Sequence, residues 1–270
     1  MKDRKLLILD IDGTLVNSEK KITEKTLNAL EQIQKMGHAV ALASGRPYPG
    51  MKQYAEQIGL VKNNGYAISF NGGRIIECAT GKIIYENTIP NKYAKVIYDY
   101  AVNNGLGLLT YKDDYIVAGT RIDNYMQYEA RLNFMTLRHV KDYLGFVDFD
   151  MIKCLLTAEP EHAAMAEQEL KDMLYPNLNV FRSEPYFVEV TANGVDKAKT
   201  IASLIEILDI SRENTICCGD GFNDATMVEF AGVGVAMGNA QQVVKDCADY
   251  ITGSCDEDGL VEVIEKFVLK

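Results

Sequence analysis

Three apolar runs end in polar residues with chemical potential. Leu6–Leu9 runs into Asp10-Ile11-Asp12-Gly13-Thr14. Ala39–Ala43 runs into Ser44-Gly45-Arg46. Thr215–Cys218 runs into Gly219-Asp220-Gly221-Phe222-Asn223-Asp224, and Lys197 opens the amphipathic segment that precedes it. If these strand ends meet at one edge of a sheet, Asp10, Asp12, Asp220 and Asp224 crowd together. Like charges at that range raise one another's pKa values and oppose assembly. A hard dication removes the conflict, and Mg²⁺ suits oxygen ligands while keeping several waters for itself. Asp10 and Asp220 are the natural ligands. Asp224 is a ligand or a support, and the backbone carbonyl of Asp12 is a further donor.

A lysine and a hydroxyl beside such a metal describe a phosphate site. Lys197, the Ser44 hydroxyl and the metal would spread charge over a moving phosphoryl group. Backbone N–H groups at Ile11–Gly13 and at Gly45 suit phosphoryl oxygens. A carboxylate can attack phosphorus and form an acyl phosphate. Asp10 leaves the strand first and is the better nucleophile. Asp12 is then the acid for the leaving oxygen and the base for water. Arg46 reads equally as a substrate contact and as a surface ion pair, and Asn71 reads as a turn former.

These motifs, "DIDGT", "ASGR", Lys197 and "GDGFND", resemble the four motifs of haloacid dehalogenase-like phosphatases. "NGG" after Phe70, "SGRPYPG" at Ser44–Gly50 and "GVGVAMGNA" at Gly232–Ala240 are similar to the Cof-type sugar phosphatases. The resemblance implies Asp10 as nucleophile, Asp12 as acid and base, and Ser44 and Lys197 on phosphate. It implies Mg²⁺ on Asp10, the Asp12 carbonyl and Asp220, with Asp224 supporting the metal and Asn223 contacting phosphate. One departure is Ala198, where the family often has glycine after the lysine.

The elements that must position these residues alternate. The spacing predicts strands at Lys5–Leu9, Ala39–Ala43 and Ala67–Phe70. Helices lie between them, one capped by Thr23 and stopped by Gly37, another opened by Pro47 and ended by Gly59. Alternation returns with a helix at Lys197–Leu208, strands at Thr215–Cys218 and Val233–Ala236, and a helix from Leu260. Such runs indicate a parallel sheet covered on both faces. The middle differs. Hairpins turn at Thr80-Gly81 and Asp113-Asp114, helices read at Lys92–Val102, Ile122–Leu132 and Glu161–Leu174, and strands at Met151–Leu156, Asn179–Arg182 and Phe187–Thr191. The expected fold is therefore α/β: a Rossmann-like parallel-sheet core at 1–86 and 186–270, with an inserted α+β cap at 87–185.

Composition sets outer limits. The 270 residues carry a net charge of −10, which argues against a nonspecific grip on nucleic acid. No run approaches the roughly 18 apolar residues of a membrane span. The six cysteines form no CxxC pair and read as reduced thiols of a cytoplasmic protein. His38, His139 and His162 lie away from every motif. Arg121, Arg131 and Arg182 of the insert read as solvated charges as readily as substrate contacts. The expected partner is a small phosphorylated metabolite, a sugar phosphate above all. A phosphomutase or phosphotransferase using the same aspartyl phosphate is the alternative. A phospho-acceptor or binding module without turnover fits less well, because such a module has no large insert.

Overall fold

The structure is a computed structural model that describes residues 4–269. The chain divides into two compact units, Met1–Tyr85 with Asp196–Lys270, and Glu86–Val195.

In chain order the strands are β1 (Leu6–Leu9), β2 (Ala39–Ala43), β3 (Tyr66–Ser69), β4 (Arg74–Glu77), β5 (Lys82–Glu86), β6 (Gly107–Lys112), β7 (Tyr115–Ala118), β8 (Thr136–His139), β9 (Cys154–Thr157), β10 (Leu178–Glu184), β11 (Phe187–Ala192), β12 (Thr215–Gly219), β13 (Val233–Ala236) and β14 (Tyr250–Ile251). The helices are α1 (Glu24–Lys35), α2 (Tyr48–Gln57), α3 (Ala94–Asn103), α4 (Asn124–Leu132), α5 (Tyr143–Phe146), α6 (Pro160–Leu174), α7 (Lys197–Leu208), α8 (Ala225–Phe230), α9 (Gln242–Cys247) and α10 (Gly259–Phe267).

The first unit is built on a sheet of order β14-β13-β12-β1-β2-β3-β4-β5. From β14 to β3 every pairing is parallel, and β4 returns antiparallel. A parallel strand buried on both faces has no polar side, so β1, β2 and β12 are uninterrupted apolar or small runs, wholly buried. Amphipathic helices supply the cover. α1 starts where the Thr23 hydroxyl accepts the Thr26 N–H at 3.2 Å, and it buries Ala29, Leu30 and Ile33. The chain moves from β1 to β2 and β3 on one side, then returns to β12, β13 and β14 on the other. The crevice at such a reversal, beyond the carboxyl ends of the strands, is where open α/β sheets bind ligands. Asp10 and Asp220 leave the two strands that flank it.

The second unit has a sheet of order β10-β11-β9-β6-β7-β8. Its apolar core joins Ile97 and Ala101 of α3 and Ala163 and Leu170 of α6 to Leu108, Leu156, Val188 and Val190 of the sheet. It also holds a buried ion pair, Lys153 Nζ to Glu189 Oε1 at 3.2 Å.

Three points differ from the sequence reading. The second unit runs to Val195, not to residue 185, because β11 is hydrogen-bonded between β10 and β9 and belongs to their sheet. The strand expected at Met151–Leu156 begins at Cys154, since Met151 instead forms an isolated bridge with Ile89. The short strand β8 went unread: it pairs parallel to β7 at the sheet edge, and its sequence Thr-Leu-Arg-His is mostly exposed. An edge strand with few buried side chains leaves little periodic signal.

Candidate active site

Loops after four parallel strands carry the site. Asp10 follows β1, Ser44 follows β2, Asn71 follows β3 and Asp220 follows β12. Lys197 arrives from elsewhere, as the first residue of α7. Asp196 caps that helix, its carboxylate accepting the Lys199 N–H at 3.2 Å. The Thr200 hydroxyl donates to the Gly72 carbonyl at 2.6 Å, which ties the first turn of α7 to the loop after β3.

Lys197 is 1% exposed. Its ammonium donates to Asp10 Oδ1 at 2.8 Å, to Asp224 Oδ1 at 2.5 Å and to the Ala43 carbonyl at 2.8 Å. These acceptors use all three of its N–H donors. Burial works against the ammonium, but the two carboxylates outweigh it and hold its pKa above the ordinary lysine value. Asp10 is pushed up to about 7, first by burial and then by Asp224, with Lys197 pulling the other way. Asp220 is raised to about 6 by burial, and the hydrogen bond from Thr14 partly offsets this.

Asp224 is an organiser. One oxygen takes Lys197; the other accepts the Asp220 N–H at 3.0 Å and the Gly221 N–H at 2.8 Å. Thr14 holds Asp220, hydroxyl to Oδ1 at 2.8 Å. Gly13 has φ +85°, and a Cβ there would collide with the Asp220 carboxylate. The Gly13 carbonyl in turn accepts from the Asn239 amide at 2.8 Å, so the loop after β13 braces the loop after β1.

Asp10, Asp220 and Asp224 each offer an oxygen, all within 4.8 Å of one another. Three carboxylates against one buried ammonium leave a local charge of −2. This donor set of hard oxygens with that charge deficit fits a Mg²⁺-sized dication.

Asp12 stands apart from this trio. Arg46 grips it with Nε to Oδ2 at 2.9 Å and Nη2 to Oδ1 at 3.0 Å. Lys20 Nζ adds a third bond, to Oδ1 at 2.8 Å. Burial would raise its pKa, but the hydrogen bonds from Arg46 and Lys20 hold it below the usual carboxylate range. A metal contact from Asp12 would therefore fall to its backbone carbonyl.

The remaining expected residues are placed as follows. Ser44 is buried, and its Oγ accepts the Arg46 N–H at 3.3 Å. A Cβ on Gly45 would stand 3.1 Å from the Asn71 side-chain carboxamide, so the Gly45 backbone packs against that side chain. Asn223 is exposed and donates to Asn71 Oδ1 at 2.9 Å. Asn71 is a turn former as expected, at φ 55°, but it also links the loops after β2 and β12. Sequence reasoning gave no role to Thr14, Lys20 or Asn239. Thr14 sits inside a motif and was findable there; Lys20 and Asn239 lie in loops whose folding alone brings them in.

The description "haloacid dehalogenase-like hydrolase" belongs to a family model that matches residues 7–264. The chain belongs to that family. A crystal structure of a haloacid dehalogenase-like hydrolase from Bacteroides thetaiotaomicron is 43% identical, with TM-score 0.91 over 97% of this chain and 99% of that one. The sugar phosphatase BT4131, of haloacid dehalogenase subclass IIB, is 28% identical with TM-score 0.78, over 98% and 100% of the two chains. Among curated proteins, the 5-amino-6-(5-phospho-D-ribitylamino)uracil phosphatase YcsE of Bacillus subtilis is 29% identical over 99% of this chain and 97% of its own. The protein is thus a phosphatase of the haloacid dehalogenase-like, Cof-type group. No helix among the described residues is long and apolar enough to cross a membrane.

Proposed function

We propose that this protein is a Mg²⁺-dependent phosphatase that hydrolyses a phosphorylated sugar or similar small metabolite through an aspartyl phosphate on Asp10. The observation that carries the reading is the setting of Asp10. It leaves a buried strand beside a reversal in strand order, with Lys197 at 2.8 Å and the oxygens of Asp220 and Asp224 within 4.8 Å.

Asp10 Oδ attacks phosphorus as the ester P–O bond breaks, and the leaving oxygen takes a proton from Asp12, which must first bind one against the pull of Arg46 and Lys20. Water then attacks the acyl phosphate. Its proton passes to Asp12, the bond from phosphorus to Asp10 breaks, and inorganic phosphate departs. Lys197 and Asp224 hold Asp10 and Asp220 in place throughout. Ser44, the N–H of Gly45 and Asn223 bind phosphoryl oxygens, and Arg46, held on Asp12, is a substrate contact. Asp10, Asp220 and the Asp12 carbonyl would hold Mg²⁺, with Asp224 supporting them; bound there, it supplies positive charge for the phosphoryl oxygens. The sugar reading is supported by the two named relatives, a sugar phosphatase and a phosphatase of a phosphoribityl compound.

The test is a panel of phosphorylated metabolites incubated with enzyme and Mg²⁺, with release of inorganic phosphate measured. Sugar phosphates are expected among the best substrates. Asp10→Asn is expected to abolish release, and chelation to stop it until Mg²⁺ is restored. An Asp10→Asn variant near wild-type activity, or turnover indifferent to chelation, overturns the reading. An isomeric sugar phosphate in place of free phosphate would make the enzyme a mutase.

A further inference from the structure

The stretch between "DIDGT" and α1 is used by no step above. Its turn is nonetheless well built. The Asn17 carboxamide oxygen accepts N–H groups from Glu19 at 3.1 Å and Lys21 at 2.9 Å. The Asn17 N–H donates to the Lys21 carbonyl at 3.0 Å, and the Lys20 N–H to the Asn17 carbonyl at 2.9 Å. Outside the turn, the Ser18 N–H reaches Asp256 at 2.9 Å. Inside it, Lys20 has φ 59°, a left-handed position that favours Gly, Asn or Asp over lysine. A residue held in a disfavoured conformation by its surroundings points towards a use for its side chain. Here that side chain ends on Asp12 Oδ1 at 2.8 Å.

An exposed lysine–carboxylate pair usually contributes little to stability. What separates this one is its partner. With Arg46, Lys20 puts three N–H groups on the two oxygens of Asp12. Arg46 alone would leave Oδ1 with a single guanidinium contact.

We propose that Lys20 is a positioning residue of the reaction: with Arg46 it fixes the Asp12 carboxylate for the step in which water attacks the phosphoenzyme. In that step the water oxygen bonds to phosphorus and its proton goes to Asp12. The P–O bond to Asp10 breaks, and the electron pair returns to the Asp10 carboxylate. The inference rests on the assignment of Asp12 as proton carrier, so its test includes Asp12 itself.

The experiment uses p-nitrophenyl phosphate, whose leaving group departs with little help from an acid, so kcat/KM reports phosphoenzyme formation and kcat reports its hydrolysis. Lys20→Met is expected to lower kcat about 10-fold, a fraction of what proton transfer by a placed side chain supplies. KM should fall in step, leaving kcat/KM within about 2-fold, the pattern of a slowed second step. Rapid mixing should then show a burst of nitrophenolate close to the enzyme concentration. Lys20→Arg should recover most of kcat, and melting curves of both variants should overlay the wild type. A Lys20→Met enzyme with wild-type kcat, or with kcat and kcat/KM lowered equally, overturns the proposal. Asp12→Asn separates the two levels. If it too leaves kcat untouched, the role of Asp12 fails; if it slows hydrolysis while Lys20→Met does not, only the role of Lys20 fails. Should Lys20→Met not fold, Lys20→Gln carries the same comparison.

Discussion

The ammonium of Lys197 lies 2.8 Å from the Asp10 carboxylate across 187 positions of sequence, in a place almost closed to water. Two buried carboxylates share that one cation, and the properties of the site follow from the imbalance.

Lys197→Met should remove catalysis and also weaken the fold. It leaves Asp10 and Asp224 facing each other without their cation, and breaking a buried pair from one side costs about 3–5 kcal/mol. Thermal melts of the metal-free variant should show a loss at pH 8 that shrinks towards pH 5, where Asp10 takes up a proton. A loss independent of pH would mean that packing, not charge, is what Lys197 supplies.

Asp10 gives metal-free protein a pH dependence of known sign. Burial holds it at about 7, above the 3.8 of an unfolded carboxyl. Below pH 4 both states hold the proton. As pH rises through 7 the folded state must form a buried charge that the unfolded state carries in water, so stability present at low pH is lost. The melting temperature of Asp10→Asn minus that of wild type, without metal, should therefore grow from pH 4 to pH 8. Saturating Mg²⁺ should reduce that difference. A difference that is flat across this range contradicts the assignment.

Gly13→Ala places a methyl group against the Asp220 carboxylate and imposes a left-handed φ of +85° on alanine. The backbone term alone is about 1–2 kcal/mol. Displacement of Asp220 should weaken Mg²⁺ activation at least 10-fold, read from the Mg²⁺ concentration that gives half-maximal phosphate release. Unchanged Mg²⁺ activation would show that Asp220 does not hold the metal.

In the second unit, the Lys153–Glu189 pair has side chains 6% and 9% exposed. Glu189→Gln should cost about 3 kcal/mol in denaturant unfolding by removing the negative charge that faces Lys153. Joint replacement by Met and Leu should recover most of that loss, since a buried pair is often no more stabilising than apolar packing. A double variant as unstable as the single one would argue that the charges themselves matter.

The parallel sheet and the polar residues at its carboxyl edge were legible in the sequence because each has a local cause. A strand buried on both faces must be apolar along its length, so β1, β2 and β12 stand out as unbroken runs. A run that stops at Asp10, Ser44 or Asp220 marks a strand end whatever surrounds it. Elements with little burial, such as β8, leave no such trace, and the end of the insert was misplaced because the partners of β11 are not encoded in β11 itself.

By itself, then, the sequence determined which groups reach the carboxyl edge of the sheet. Tertiary structure alone decided how they are shared. It gave Lys197 to Asp10, Asp224 and a backbone carbonyl, Thr14 to Asp220, Asn71 to Asn223, and Arg46 with Lys20 to Asp12. Hydrogen bonds of that kind depend on rotamers and loop paths that meet only after the strands have paired, and no periodicity along the chain reports them.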